Sequence, residues 1–205
     1  MKTLVIVGAS GDGKVVADIA VQNGYKDIMF LDDNEQIKEC LGFPVVGKSS
    51  SYLQFAEKCV FFVAIGNPKV RKHILSKMID SRCDIVSLIH PSAVVAPSVK
   101  IGVGSVIMAG AVVNPAAVIG NGCIVNTCAS VDHDCIIADY VHISVGAHLA
   151  GTVEILEGTW VGIGAVVNNN LQIASECMIG AGAVVVSSIM EKGTYVGVPA
   201  RKIVK

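Results

Sequence analysis

Residues 95–131 read VAPSVKIGVGSVIMAGAVVNPAAVIGNGCIVNTCASV. Every sixth residue from Val95 is aliphatic: Ile101, Ile107, Val113, Ile119, Val125 and Val131 follow, and the series runs on through Ile137, Ile143, Leu149, Ile155, Val161, Val167, Ile173, Ile179 and Val185 without an insertion. A second series, four residues later, is nearly all small: Ser105, Ala111, Ala117, Cys123, Ala129, Cys135, Ala147, Ala165 and Ala183 belong to it. This is a hexapeptide repeat, the signature of a solenoid. Each unit supplies a short strand and a corner, three units complete a coil, and coils stack by parallel strand pairing at ~4.8 Å. The aliphatic residue points inward, and the small one keeps the narrow interior from overfilling. Gly102, Gly120, Gly162 and Gly180, with Asn114, Asn126 and Asn168, directly follow aliphatic positions, so the turn-tolerant residues are expected there.

The composition excludes several classes of protein. Sixteen Lys and Arg against seventeen Asp and Glu leave a net charge of −1, so neither a nucleic-acid backbone nor an anionic membrane is an expected partner. Residues 101–131 carry no charge, but Gly102, Gly104, Asn114, Pro115, Gly120, Asn121, Gly122 and Asn126 are too dense there for a lipid-facing helix. The run Leu4 to Val7 is too short for a signal peptide and leads straight into a glycine turn, which points to the cytoplasm. Seven cysteines without a CxxC pair suit reduced, buried thiols.

The charge shifts near His90-Pro91: residues 1–90 hold eleven of the basic and ten of the acidic residues. They form one domain, and residues 91–205 form the solenoid. In the first, the strand Leu4–Val7 meets Gly8-Ala9-Ser10-Gly11-Asp12-Gly13, and a helix follows through Val15, Val16, Ile19 and Ala20. A second strand, Ile28–Leu31, ends in Asp32-Asp33. A third, Val60–Ile65, ends at Gly66-Asn67-Pro68 and precedes a helix over 69–82. This is a small parallel α/β domain, and its ligand site is expected past the carboxyl ends of the strands, where the glycine turn, Asp32-Asp33 and Gly66-Asn67 converge. The spacing Gly8-x-x-Gly11-x-Gly13 departs from the dinucleotide fingerprint, so a mononucleotide or nucleotide-sugar fits better than NAD.

Three histidines lie in the solenoid: His133, His142 and His148. One coil away from His133 are Pro115 and Gly151, so its side chain should project outward. Asp132-His133-Asp134 surrounds an imidazole with carboxylates, which raises its basicity and fixes its tautomer if a corner brings neighbours together. An ordinary exposed histidine is the other reading. His142 stacks by period between Ile124 and Trp160, and too few imidazoles share its column for a metal, so none is expected. From Arg82 to Lys192 the only basic residue is Lys100; Lys192, Arg201, Lys202 and Lys205 thus supply positive charge for a phosphorylated ligand along the solenoid. The tail after Glu191 also serves to cap the last coil.

Val7-Gly8-Ala9-Ser10-Gly11-Asp12-Gly13, Phe30-Leu31-Asp32-Asp33, Ala64-Ile65-Gly66-Asn67, Asn126-Thr127, Asp132-His133-Asp134, Val141-His142-Ile143-Ser144-Val145-Gly146-Ala147 and Gly197-Val198-Pro199-Ala200 together carry a resemblance over residues 2–205. The chain resembles the bacterial sugar acetyltransferases, which span NeuD-like sialic acid O-acetyltransferases and PglD-like UDP-4-amino-sugar N-acetyltransferases, and is most similar to the PglD-like branch. The resemblance implies a Rossmann-like α/β domain followed by a left-handed parallel β-helix, acetyl-CoA as co-substrate, no metal, and a homotrimer with shared sites. It implies His133 as general base with Asp134 orienting it, Asn126 in the acceptor pocket, and Ser10, Gly11, Asp32, Asp33 and Gly66 around the nucleotide. His142, Gly151, Ile163 and Ala181 would contact the acyl and pantetheine arm of acetyl-CoA, and Pro199, Arg201 and Lys202 its nucleotide end. The implied reaction is N-acetylation of a nucleotide-linked 4-amino-sugar. O-acetylation of a sialic acid and a non-catalytic nucleotide-sugar scaffold are the alternatives.

Overall fold

The structure is a computed structural model that describes residues 2–203. The described residues divide into two compact units, 2–91 and 92–203.

The first unit is a sheet flanked by helices. Strands β1 (Thr3–Val7), β2 (Ile28–Leu31) and β5 (Cys59–Val63) pair in parallel, and helices α1 (Gly11–Gln22) and α2 (Pro68–Asp80) follow β1 and β5. Residues 34–59 carry no clear hydrophobic period, yet they hold the antiparallel pair β3 (Glu39–Cys40) and β4 (Phe43–Gly47), and β4 extends the sheet beside β2. The order is β3-β4-β2-β1-β5, which sets the carboxyl ends of β2, β1 and β5 side by side. Leu4, Val5, Ile6, Phe30, Phe61 and Leu75 are buried at its core. Gly8 holds φ at +107°, and a Cβ there would lie 2.6 Å from the Ala64 carbonyl oxygen. Glycine is therefore required for the β1 and β5 ends to meet.

The second unit is a triangular prism. Its first face stacks Val94–Val95, Val112–Val113, Ser130–Val131, His148–Leu149, Val166–Val167 and Val184–Val185 in parallel register, each strand 18 residues after the last. The second face runs from Lys100–Ile101 to Gln172–Ile173, and the third includes Ile124–Val125, His142–Ile143, Trp160–Val161 and Met178–Ile179. The sixfold aliphatic series and the small series fill one buried core along the axis. Thr194–Val196 continues the third face in parallel, and Arg201–Ile203 closes it as an antiparallel strand, so the tail covers the terminal coil.

The corners correct one expectation. The left-handed conformation falls three residues after each aliphatic position, at Gly104, Gly110, Ala116, Gly122, Cys128, Asp134, Tyr140 and their successors to Gly182, not one residue after it. The glycines directly after aliphatic positions answer a different demand. A Cβ on Gly102 would lie 2.5 Å from the Gly120 carbonyl carbon, and one on Gly162 would lie 2.5 Å from the Ile179 carbonyl oxygen. Close stacking of successive backbones, rather than positive φ, selects glycine at these positions.

Leu149 is 1% exposed in the middle of the inward column. Leu149→Ala is expected to cost about 2–5 kcal/mol, because the stacked coils cannot collapse into the void. Chemical denaturation checks this, with the exposed Val118→Ala expected to cost less than about 1 kcal/mol.

Candidate active site

In the first unit, the loops after β1, β2 and β5 converge as the sequence predicts. Ser10 is the N-cap of α1 but makes no side-chain capping bond, and Gly11 opens the helix with free space where a Cβ would stand. Asp32 accepts from the Ala9 N–H at 2.7 Å and from the Asn34 N–H at 2.8 Å, tying the glycine turn to the end of β2. Asp33 turns away from that junction: its carboxylate takes both the N–H and the hydroxyl of Ser49 at 2.9 Å, fixing the short helical segment Ser49–Phe55. Beside Asp32, a cleft of about 240 Å³ is lined by Asn34, Ile37, Lys38, Val45 and Gly47.

Arg71 was not predicted. It is 1% exposed, and its guanidinium Nη1 donates to the carbonyl oxygens of Ile65 and Gly66, both at 2.7 Å. Those bonds hold the loop after β5 in place. Burial raises the Asp12 carboxyl above the ordinary range, and the Arg71 charge opposes that rise. The signal was present in the sequence: Arg71 lies on the same helical stripe as Leu75 and Met78, where a cation has no reason to be unless it has partners.

In the second unit, the predicted residues separate onto two corners. His133 and Asp134 form the turn after Ser130–Val131, and Asp134 holds φ at +59°. This corner, rather than a strand, is what lets sequence neighbours pair: His133 Nδ1 lies 2.8 Å from Asp134 Oδ2. A carboxylate only accepts, so Nδ1 carries the proton and Nε2 is the nitrogen that keeps its lone pair. The bond to Asp134, with the charge of Asp132 behind it, raises the His133 pKa above its ordinary value. Asp132 is held by the His133 N–H and by Asn114 Nδ2, which pull its own pKa down. Gly151 lies one coil on, and a Cβ there would sit 2.5 Å from His133 Nε2. The ring fills the space that any larger residue would need.

The other corner follows the third face. Asn126 Nδ2 lies 3.1 Å from His142 Nε2, and Asn126 Oδ1 accepts from the Thr127 N–H. His142 is 4% exposed and packs against Trp160, ring centroids 4.5 Å apart, and the indole N–H donates to Ser144 Oγ at 2.6 Å. The period predicts the His142–Trp160 contact, but the Ser144 bond required the fold. Ile163, 62% exposed, and Ala181 occupy this same corner one coil apart. Within one chain, then, Asn126, His142, Ile163 and Ala181 gather at one end of the first face, and His133, Asp134 and Gly151 at the other. The basic residues of the tail are partly engaged: Lys192 pairs with Glu176, and Lys202 with Glu191 at 3.0 Å. Arg201 is exposed, its Nη1 donating to the Ala200 carbonyl, and Pro199 lies in the turn before it. Lys205 lies outside the described residues. Among the described residues of one chain, no three His, Cys, Asp or Glu side chains cluster as a metal site, and no helix is long and apolar enough to cross a membrane.

An α/β unit followed by a left-handed parallel β-helix is the architecture of nucleotide-sugar acetyltransferases, and the comparisons agree. Residues 3–78 match the PglD N-terminal domain. The chain is 39% identical over 112 residues to the UDP-N-acetylbacillosamine N-acetyltransferase of Bacillus subtilis (strain 168), a match that spans 53% of this chain and about half (52%) of that enzyme. The acetyltransferase domain of PglB from Neisseria gonorrhoeae FA1090, solved with acetyl coenzyme A, is similar over 98% of this chain and 99% of its own, with 42% identity and a TM-score of 0.96. PerB from Caulobacter crescentus, solved with CoA and GDP-perosamine, covers 99% of this chain and 98% of its own at 36% identity and a TM-score of 0.94. This chain belongs to the PglD-like family of sugar N-acetyltransferases.

Two measurements check this geometry. Asp134→Asn removes the charge that holds the imidazolium form, so the His133 pKa, followed by NMR titration of the ring, is expected to fall. Gly151→Ala is expected to displace the His133 ring while leaving stability within about 1 kcal/mol, since the atoms the new Cβ would meet are the far end of an exposed side chain that can swing away; a ring chemical shift identical to that of the parent protein would contradict it.

Proposed function

We propose that this chain transfers the acetyl group of acetyl-CoA to the amine of a nucleotide-linked 4-amino-sugar, UDP-linked in the first instance, and that it works in the cytoplasm. The observation that carries the reading is the His133–Asp134 pair at an exposed corner, with Nδ1 engaged by the carboxylate, Nε2 left as the basic nitrogen, and the absence of a side chain at Gly151 admitting the ring. His133 Nε2 takes a proton from the amine nitrogen as that nitrogen attacks the thioester carbonyl carbon. A C–N bond forms, the C–S bond breaks as the tetrahedral adduct collapses, and the proton returns to the sulfur, so CoA leaves as its thiol. No acyl-enzyme is required, and holding both substrates together supplies the proximity.

Each group has a place in this reading. Ser10, Gly11, Asp32 and Gly66 serve the nucleotide diphosphate, with backbone N–H groups at the open start of α1 as donors. Asp33 serves it through the loop that it braces at Ser49. Gly151 lies beside the base, and His142, Ile163 and Ala181 take the acyl and pantetheine arm. Asn126 sets the His142 ring at the edge of the acceptor pocket, and Pro199, Arg201 and Lys202 receive the nucleotide end of CoA. His133 and His142 stand at opposite ends of one face, so their combined use requires the His133 corner of one copy to meet the His142 corner of the next. Such a head-to-tail contact closes into a ring, here a homotrimer with three shared sites. The relatives solved with acetyl coenzyme A and with GDP-perosamine support both substrate classes. GDP is therefore the second nucleotide to try.

The test is CoA-thiol release from acetyl-CoA with UDP- and GDP-linked 4-amino-4,6-dideoxy sugars, with free and CMP-linked sialic acid as hydroxyl acceptors. Turnover is expected with an amino-sugar alone, reduced by on the order of 10²–10⁴-fold in His133→Ala. The limb of kcat/KM that rises with pH should lie above the ordinary imidazole range and move to lower pH in Asp134→Asn. This is the sign that a raised base pKa requires, because the neutral imidazole is the active form. Turnover with sialic acid alone would replace N-acetylation by O-acetylation, and silence with every acceptor would leave the scaffold reading.

A further inference from the structure

Among the described residues, Arg71 is the one lysine or arginine withdrawn from water. A guanidinium cannot shed its proton, so its charge is buried only where partners receive it. Two bonds of 2.7 Å run from one nitrogen, Nη1, to consecutive carbonyls, those of Ile65 and Gly66. That pattern also fixes the other side of the loop. The peptide groups carrying the two oxygens are trans, and in a planar trans peptide the N–H points opposite to the C=O. With both oxygens turned inward to Arg71, the N–H groups of Gly66 and Asn67 face outward. Gly66 is half-buried and Asn67 is exposed. Among the described residues, neither N–H has an acceptor within the chain. The Asn67 side chain is committed elsewhere: its Oδ1 accepts from the Lys69 and Val70 N–H groups as the cap of α2. The backbone is therefore what this loop offers a ligand. It lies against the glycine turn, because a Cβ on Gly8 would stand 2.6 Å from the Ala64 carbonyl oxygen and 3.2 Å from Ile65 Cγ1.

We infer that Arg71 is a positioning residue for the acceptor: its grip on the Ile65 and Gly66 carbonyls sets the Gly66 and Asn67 N–H groups as a donor pair for the diphosphate oxygens of the nucleotide-linked sugar. The inference rests on the reading that the first unit holds that nucleotide. Each amide is then one link in a chain that runs from guanidinium to carbonyl and from N–H to phosphate, in which every bond polarises the next. The buried charge stands behind the peptide planes, where its field is poorly screened, and it attracts the anion without touching it. Arginine suits the place better than lysine. It keeps its charge when buried, whereas an ammonium group is strongly hydrated and shifts its pKa readily there. Asn67 thus contributes an N–H to the ligand while its side chain starts α2, and Gly66 contributes one without any side chain.

The experiment uses the full-length protein with UDP and GDP as probes. Isothermal titration gives their affinities, and NMR follows the amide signals of Gly66 and Asn67, both of which are expected to shift when the nucleotide binds. Arg71→Met is expected to weaken nucleotide binding by roughly 10- to 100-fold, the worth of a hydrogen bond to a charged oxygen, with Arg71→Lys between it and the parent. Acetyl-CoA affinity is expected to be unchanged in both variants. With the acceptor that the turnover assay identifies, KM rises and kcat holds. All binding is measured below each variant's unfolding transition, so lost stability does not enter. Should Arg71→Met fail to fold, Arg71→Lys and the parent's own amide shifts decide. Parent-like nucleotide affinity in either variant, equal loss of nucleotide and acetyl-CoA binding, or Gly66 and Asn67 amides unmoved by bound nucleotide overturns the role of Arg71 and leaves the nucleotide reading intact. A parent protein that binds neither nucleotide overturns both.

Discussion

The narrowness of the triangular interior governs this molecule. Stacked coils ~4.8 Å apart leave room for one aliphatic side chain per face and one small residue per corner at each level. Ile107, Val125, Ile143, Val161 and Ile179 are each 0% exposed in a single column. The repeat cannot slip, because an insertion in one coil would turn the inward residues of every later coil onto the wrong face. Rigid coils in fixed register are what allow residues 16 or 18 apart, such as Asn126 with His142 and His133 with Gly151, to form lasting contacts.

That regularity makes the exceptions informative. Corners are forced into the left-handed region whatever residue they hold, and most hold glycine or a small polar residue. Asp134 occupies one of them, where its short side chain folds back onto the preceding imidazole. Strain at a corner thus becomes the means of pairing a histidine with the adjacent carboxylate, which strand geometry would have kept on the opposite side. Gly151 has an ordinary φ and is glycine for a separate reason, namely that the ring of His133 occupies its Cβ position.

The α/β unit obeys a different constraint. Parallel strands side by side bring three loops to one edge, and the loops are stitched together by polar groups rather than by apolar packing. Asp32 binds the turn after β1, and Arg71 binds the carbonyls after β5. Asp33, adjacent to Asp32 and chemically identical, braces a separate segment through Ser49. Identity of residue type gave no means to tell these roles apart, since the direction of each side chain depends on where the loop bends.

The sequence by itself determined the prism, its period, the inward columns and the alternation of strand and helix along the first ninety residues, because hydrophobic periodicity reports directly which side chains leave water. It also placed His133 outward over Gly151 and His142 against Trp160, since an 18-residue coil fixes vertical neighbours by arithmetic. Tertiary structure alone decided which residue at a corner turns left-handed, that His133 and Asp134 meet there, that Asn126 serves His142, and that the solenoid residues divide between two corners. It also decided that Arg71 is buried and that residues 39–47 add strands to the sheet. These depend on backbone direction and on polar contacts between segments far apart in the chain, and neither leaves a period in the sequence to read.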